Sequence, residues 1–133
     1  MEGIMPILKR RKNPTPDGPG VSGPVRLCRT NDELSVVRTG DIVVIDIADL
    51  EADQARLLVA RKVSAVVNVS ASTSGRFPNL GPQVLAEASI PLVDRVGESL
   101  WQSVRSGDRV RVYQGQVFVG DQVVATGTEM TAR

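Results

Sequence analysis

The chain has 133 residues, 41% of them hydrophobic and 23% charged, and a formal net charge of +1. Those values fit one soluble-type domain with a single core, and exclude a wholly disordered chain or a membrane bundle. Histidine is absent and cysteine occurs once, so histidine-dependent triads, phosphohistidine carriers, imidazole metal sites and intrachain disulfides are excluded. A single thiol fits a reducing compartment, and the cytoplasm is the expected location.

Residues 1–24 read as a flexible, basic tail. Residues 13–24 contain Pro14, Pro16, Pro19 and Pro24 with Gly18, Gly20 and Gly23, a composition that disfavours a regular hydrogen-bond ladder. Lys9, Arg10, Arg11 and Lys12 could touch an acidic lipid or partner face, or simply be solvated, and Met5, Ile7 and Leu8 form a small apolar tag. The start of the chain lacks the apolar core of a secretory signal. Excluding the first 20 residues, 12 basic and 13 acidic groups remain, so the body is nearly neutral and nucleic acid is not an expected partner.

The globular pattern covers 25–130. Val25 to Arg29 alternates and reads as an edge strand, and Asn31 is a candidate cap for a short helical turn through Val37. Gly40-Asp41 opens the β-branched run Ile42 to Ile47, a buried strand. Asp49 is placed to cap a helix over 50–60, with acidic residues early and Arg61-Lys62 at its end. Val63 to Asn68 is the next buried strand, which gives a parallel βαβ unit. Pro82 suits a helix start, so a second helix follows through Ala88; Ser89 to Val93 is a third strand, and Glu98 to Val104 a short helix. Asp108 to Tyr113, Gln116 to Val119 and Gln122 to Thr126, joined at Gln114-Gly115 and Gly120-Asp121, make a C-terminal β-meander. The expected class is α/β, a parallel βαβ core followed by that meander.

Between the second strand and second helix lies a hydroxyl-rich loop with Asn68, Ser70, Ser72, Thr73, Ser74, Gly75, Arg76, Asn79 and Gly81. It occupies the carboxyl end of a parallel strand and precedes a helix, where anions find N–H donors, hydroxyls and the forked Arg76 cation. The same residues are also ordinary turn chemistry, with Arg76 paired to a carboxylate. Both readings stand: an anion-binding or interdomain-docking loop, or architecture. Cys28 reads as a buried thiol, since no imidazole is present to activate it. Asp46, Asp49 and Asp94 could meet magnesium through a substrate phosphate, yet solvated and capping roles are more ordinary; no cofactor or resident metal is expected. Phe77, Trp101, Tyr113 and Phe118 are scattered, which suits core and interface filling rather than base stacking.

The spacing of Gly40-Asp41-Ile42-Val43-Val44, Ala65-Val66-Val67, Ile90-Pro91 and Val104-x-x-Gly107-Asp108-x-Val110-x-Val112 is similar to the swivelling β/β/α domain of phosphoenolpyruvate-utilising enzymes. Asn79 stands near the position of that family's phosphorylated histidine, so carrier chemistry is not expected. Val67-Asn68 followed by Ser74-Gly75-Arg76-Phe77-Pro78-Asn79-Leu80-Gly81-Pro82, with Ile90 to Asp94 after it, resembles the N-terminal portion of the SteA family of actinobacterial cytokinetic ring proteins. That resemblance covers roughly residues 24–130. It implies a noncatalytic domain of a cell-division and cell-separation scaffold, acting with a SteB-like partner. It also implies a longer protein, with a thiamin-pyrophosphokinase-like domain and a C-terminal membrane helix beyond this sequence, on which the domain would dock. A half-site for a nucleotide or sugar nucleotide is the alternative, and a second copy of the chain is a further candidate partner.

Overall fold

The computed structural model describes residues 19–73 and 80–130. Among the described residues there are eight strands and four short helices: β1 (Val21–Cys28), a 3-10 helix (Asn31–Val36), β2 (Ile42–Ile45), α1 (Ala52–Ala60), β3 (Ala65–Asn68), α2 (Gly81–Glu87), β4 (Leu92–Asp94), α3 (Leu100–Ser103), β5 (Arg109–Tyr113), β6 (Gln116–Val119), β7 (Gln122–Thr126) and β8 (Thr128–Met130). The strand order is β7-β6-β5-β1-β2-β3-β4-β8. Neighbours from β1 to β4 run parallel, and the outer pairings are antiparallel.

The side chains of β2 and β3 alternate between two cores, because both faces of the parallel sheet are covered. Ile42, Val44, Ala65, Val67 and Val93 pack with Val110, Val112, Val117 and Ala125 of the meander. Val43, Ile45, Val66 and Leu92 pack with Leu50, Ala55, Leu58 and Leu85 on the helical side. The layers are therefore α1 and α2, parallel sheet, meander, with Leu100 of α3 packed on the meander side. Val66 and Val67 are both fully buried, one toward each core. Replacing either by Ala should cost about 1–3 kcal/mol through lost methyl contacts and a cavity, read as a lowered denaturation midpoint; a Val66→Ala/Val67→Ala double variant with wild-type stability would refute this packing.

Three sequence expectations change. The strand read as an edge over 25–29 is an inner strand that starts at Val21, inside the segment assigned to the tail. Its first half pairs with β5 (Val21 opposite Val112, Pro24 opposite Arg109) and its second half with β2 (Val25 opposite Ile42). Pro24 sits at the changeover, where a missing N–H interrupts neither ladder's centre. The remaining tail residues, 1–18, lie outside the described residues. The α1 cap is Glu51 rather than Asp49, with the Glu51 N–H donating to Gln54 Oε1 at 2.9 Å. Asp49 instead takes a left-handed turn conformation (φ 58). Finally, β8 was not foreseen; it pairs with β4, and Gly127 alone separates it from β7 at the opposite end of the strand order.

The foreseen turns have matching backbones. Gln114 and Gly115 both have positive φ (50 and 80), as a two-residue hairpin of the I′ type needs, and Gly120 (φ 60) opens the next hairpin. The Gly115 carbonyl accepts the Gly127 N–H at 2.8 Å, tying the first hairpin to the β7–β8 link. Among the described residues no helix is long and apolar enough to cross a membrane.

Candidate functional site

The parallel strands end together at one edge, so the loops after β2, β3 and β4 converge there. Asn68, the last residue of β3, is fully buried. Its Nδ2 donates to the Ile47 carbonyl and to Ser72 Oγ, both at 2.8 Å. Its Oδ1 accepts the N–H groups of Ile47 and Ser70, both at 3.1 Å. One side chain thus joins the loop after β2 to the loop after β3. Asp94, buried at the end of β4, adds the third loop by accepting the Ser72 N–H on Oδ1 at 2.7 Å.

Backbone bonds complete the lacing. The loop after β3 accepts from Asp49 and Leu50 (to Ala71 and Ser72 oxygens, 3.0 and 2.8 Å) and from Arg95, Val96 and Gly97 (to Ser70, Asn68 and Val69 oxygens, 3.3, 3.1 and 3.3 Å). Ser70 Oγ donates to Asp46 Oδ1. The edge carries acidic groups at Asp46 and Asp94, with the Arg95 guanidinium 3.8 Å from Asp94 Oδ2.

The sequence-predicted residues therefore divide. Asn68, Ser70 and Ser72 come together, and their hydrogen-bonding groups are engaged with protein. Thr73 is half-buried beside them. Ser74, Gly75, Arg76 and Asn79, with the core of the resembling motif, lie outside the described residues. Gly81 is buried at the start of α2, where its N–H donates to the Leu50 carbonyl at 3.1 Å and a Cβ would stand 2.4 Å from that oxygen. Its role is close approach of two backbones. Since Pro82 has no N–H and the N–H of Gly81 is engaged, two of the first three helical positions offer nothing to an anion. Among the described residues no group of three or more acidic or thiol side chains could hold a metal ion.

Two features were not legible beforehand. Leu80 is 55% exposed beside the laced loops, a large apolar side chain at this edge. Arg29, just after β1, stacks 4.5 Å from the Trp101 ring centroid, so this edge carries a cation–aromatic pair. The signal for that pair is tertiary, since 72 residues of sequence numbering part its members.

Cys28 is buried, with Sγ donating to the Glu33 carbonyl at 3.5 Å. Desolvation, then the charge of Glu33, push its pKa up from 9.0 to about 11, with Arg26 opposing and Asp41 adding a smaller rise. A thiol so held is a poor nucleophile. The unfolded thiol ionises first, so its contribution to stability is complete below pH 9.0 and is lost as pH rises toward 11. Wild type should lose stability over that window more steeply than Cys28→Ala, checked by denaturation midpoints at several pH values; parallel pH profiles would contradict the assignment.

No family model matches the chain, and a search of curated proteins finds no similar sequence. The class defined by the fold alone is a three-layer α/β domain with a mixed eight-stranded sheet.

Proposed function

We propose that this chain is a noncatalytic docking domain of the swivelling β/β/α type, belonging to a cell-division and cell-separation scaffold of the kind its resemblance to the SteA family implies. The observation that supports a docking role over a chemical one is the Asn68 node. At the edge where open α/β sheets hold ligands, the buried polar groups lace three loops into a frame. A frame already ordered loses little conformational entropy when a partner covers it. Leu80, Asp46, Ala48 and Arg95 are exposed around it, a mixed apolar and charged rim. The partners are the rest of a longer chain and a SteB-like protein, in the cytoplasm.

Calorimetric titration of the chain with a SteB-like protein, and separately with the thiamin-pyrophosphokinase-like segment of a SteA-family protein, tests this. Saturable binding is expected, weakened about tenfold, or 1.4 kcal/mol, by Leu80→Glu and left unchanged by Val123→Glu on the meander. Absence of binding to both, or binding indifferent to Leu80→Glu, overturns the assignment of this face. Saturable binding of a nucleotide or sugar nucleotide that Arg76→Ala weakens would replace it with an anionic half-site.

A further inference from the structure

Arg111 is a buried cation that the site above does not use. It stands on β5 between Val110 and Val112, whose side chains enter the core, so its own lies on the outer face of the meander, away from α1 and α2. The residue is only 7% exposed. Its guanidinium carbon lies 4.0 Å from the Phe118 ring centroid, and Nη1 donates to the Pro19 carbonyl at 2.8 Å. Nε is buried without a hydrogen-bond partner, and among the described residues no carboxylate forms an ion pair with this side chain. Nη2 is not sealed in the same way, so the fork of Nε–H and Nη2–H opens at the surface.

A guanidinium withdrawn from water without a counter-charge is destabilising, and a stacked ring offsets that only in part. The fork matches the two oxygens of a carboxylate. The meander supplies none, since β5, β6 and β7 carry Arg109 and Arg111 and no acidic residue. Around the fork the face is apolar: Phe118 lies opposite Arg111, Val123 lies opposite Phe118, and Tyr113 is the next residue of β5 on that side. Val123 is 41% exposed and Tyr113 36%, so this apolar surface is open to a partner. We infer that the outer face of the meander binds an extended segment of a partner protein, in which a Glu or Asp enters the Arg111 fork and an apolar residue two positions away covers Tyr113.

Charge and spacing both select that occupant. Arg111 and Tyr113 stand about 7 Å apart along the strand, the repeat at which an extended peptide presents alternate side chains to one face. Arginine and tyrosine among apolar side chains are also the composition of a protein–protein interface centre. An anionic lipid surface is drawn instead to a cluster of exposed cations, not to one recessed fork. The face is separate from the Leu80 edge, and neither reading depends on the other.

The test uses the full 133-residue chain labelled with nitrogen-15, titrated with the blocked peptide acetyl-Val-Thr-Glu-Thr-Val-amide. Saturable shifts are expected at the Arg111 Nε–Hε resonance and the Tyr113 and Phe118 amides, with a Kd of about a millimolar, as two charge-assisted bonds support. Gln in place of the peptide's Glu should weaken binding about tenfold, and so should Arg111→Lys, which keeps the charge without the fork. Arg111→Met should abolish binding yet leave the urea midpoint at or above that of wild type, because an unpaired buried charge has been removed. A lowered midpoint in Arg111→Met makes this side chain a structural strut and overturns the inference. Absence of a saturable response, equal binding of the Gln peptide, or equal shifts with inorganic phosphate overturns it as well. Self-association that moves the same resonances without peptide would assign the face to a second copy of the chain instead.

Discussion

Replacing Asn68 by Ala is expected to destabilise the fold by about 3–5 kcal/mol, among the larger effects of any single side chain here. The substitution removes four hydrogen bonds at once and leaves the Ile47 N–H and carbonyl, the Ser70 N–H and Ser72 Oγ without that partner. Each buried polar group so abandoned costs about 1–3 kcal/mol, and water admitted near the surface recovers part of the sum. Asn68→Asp should also be costly, because it keeps the acceptor but loses both donated bonds and places a charge near Asp94. Urea denaturation with an unchanged slope reads the loss, and faster amide exchange at Ile47 and Ser70 localises it. A change below about 1 kcal/mol would mean that the three loops hold together without this node.

Gly127→Ala is the second large effect, on the order of 3 kcal/mol, and its origin is steric. A Cβ there would stand 2.1 Å from the Asp94 carbonyl oxygen, with Val96 Cγ1 at 2.9 Å and Val93 Cγ1 at 3.0 Å. The nearest atom is backbone of β4, which cannot rotate aside. Relief requires β8 to shift from β4, and that breaks the pairing of Asp94 with Thr128. The variant should show lowered thermal stability together with weakened amide protection in β8. Wild-type protection in β8 would show that the link tolerates a side chain.

Much of the architecture is legible in composition because local and global signals agree. The β-branched runs at Ile42 to Ile45 and Ala65 to Asn68, with an acidic-first helix between them, allow little besides a βαβ unit, and Gln114-Gly115 and Gly120-Asp121 are turn pairs with a mechanism. What escaped is set by distant partners. Ser22-Gly23-Pro24 has poor strand propensity, yet β5 supplies a ladder for it, and the Gly23 backbone passes so close to the Gly40 carbonyl that a Cβ would lie 2.4 Å away. Thr128 to Met130 is too short for a period to register, and β4 alone recruits it.

The candidate loop was legible as a place and ambiguous as chemistry. Asn, Ser and Gly are the residues of a ligand cradle and equally of a self-bonded loop, and the choice depends on what their hydrogen bonds reach. For Asn68 and Ser72 they reach Ile47, Asp94 and each other. Nothing in the spacing announces that Asp94, 26 positions beyond Asn68, accepts the Ser72 N–H.

The divided pairing of β1 has a consequence for how the protein is made. At about 5–20 residues per second, the first half of this strand leaves the ribosome several seconds before Val112 exists to pair with Val21. The second half, by contrast, meets β2 almost at once. A nascent chain therefore carries an unzipped half-strand through most of its synthesis, when an uncovered edge can recruit a neighbouring polypeptide. Ser22, Gly23 and Pro24 are among the residues least able to template such growth, and their poor strand character protects the newborn chain until its late partner arrives.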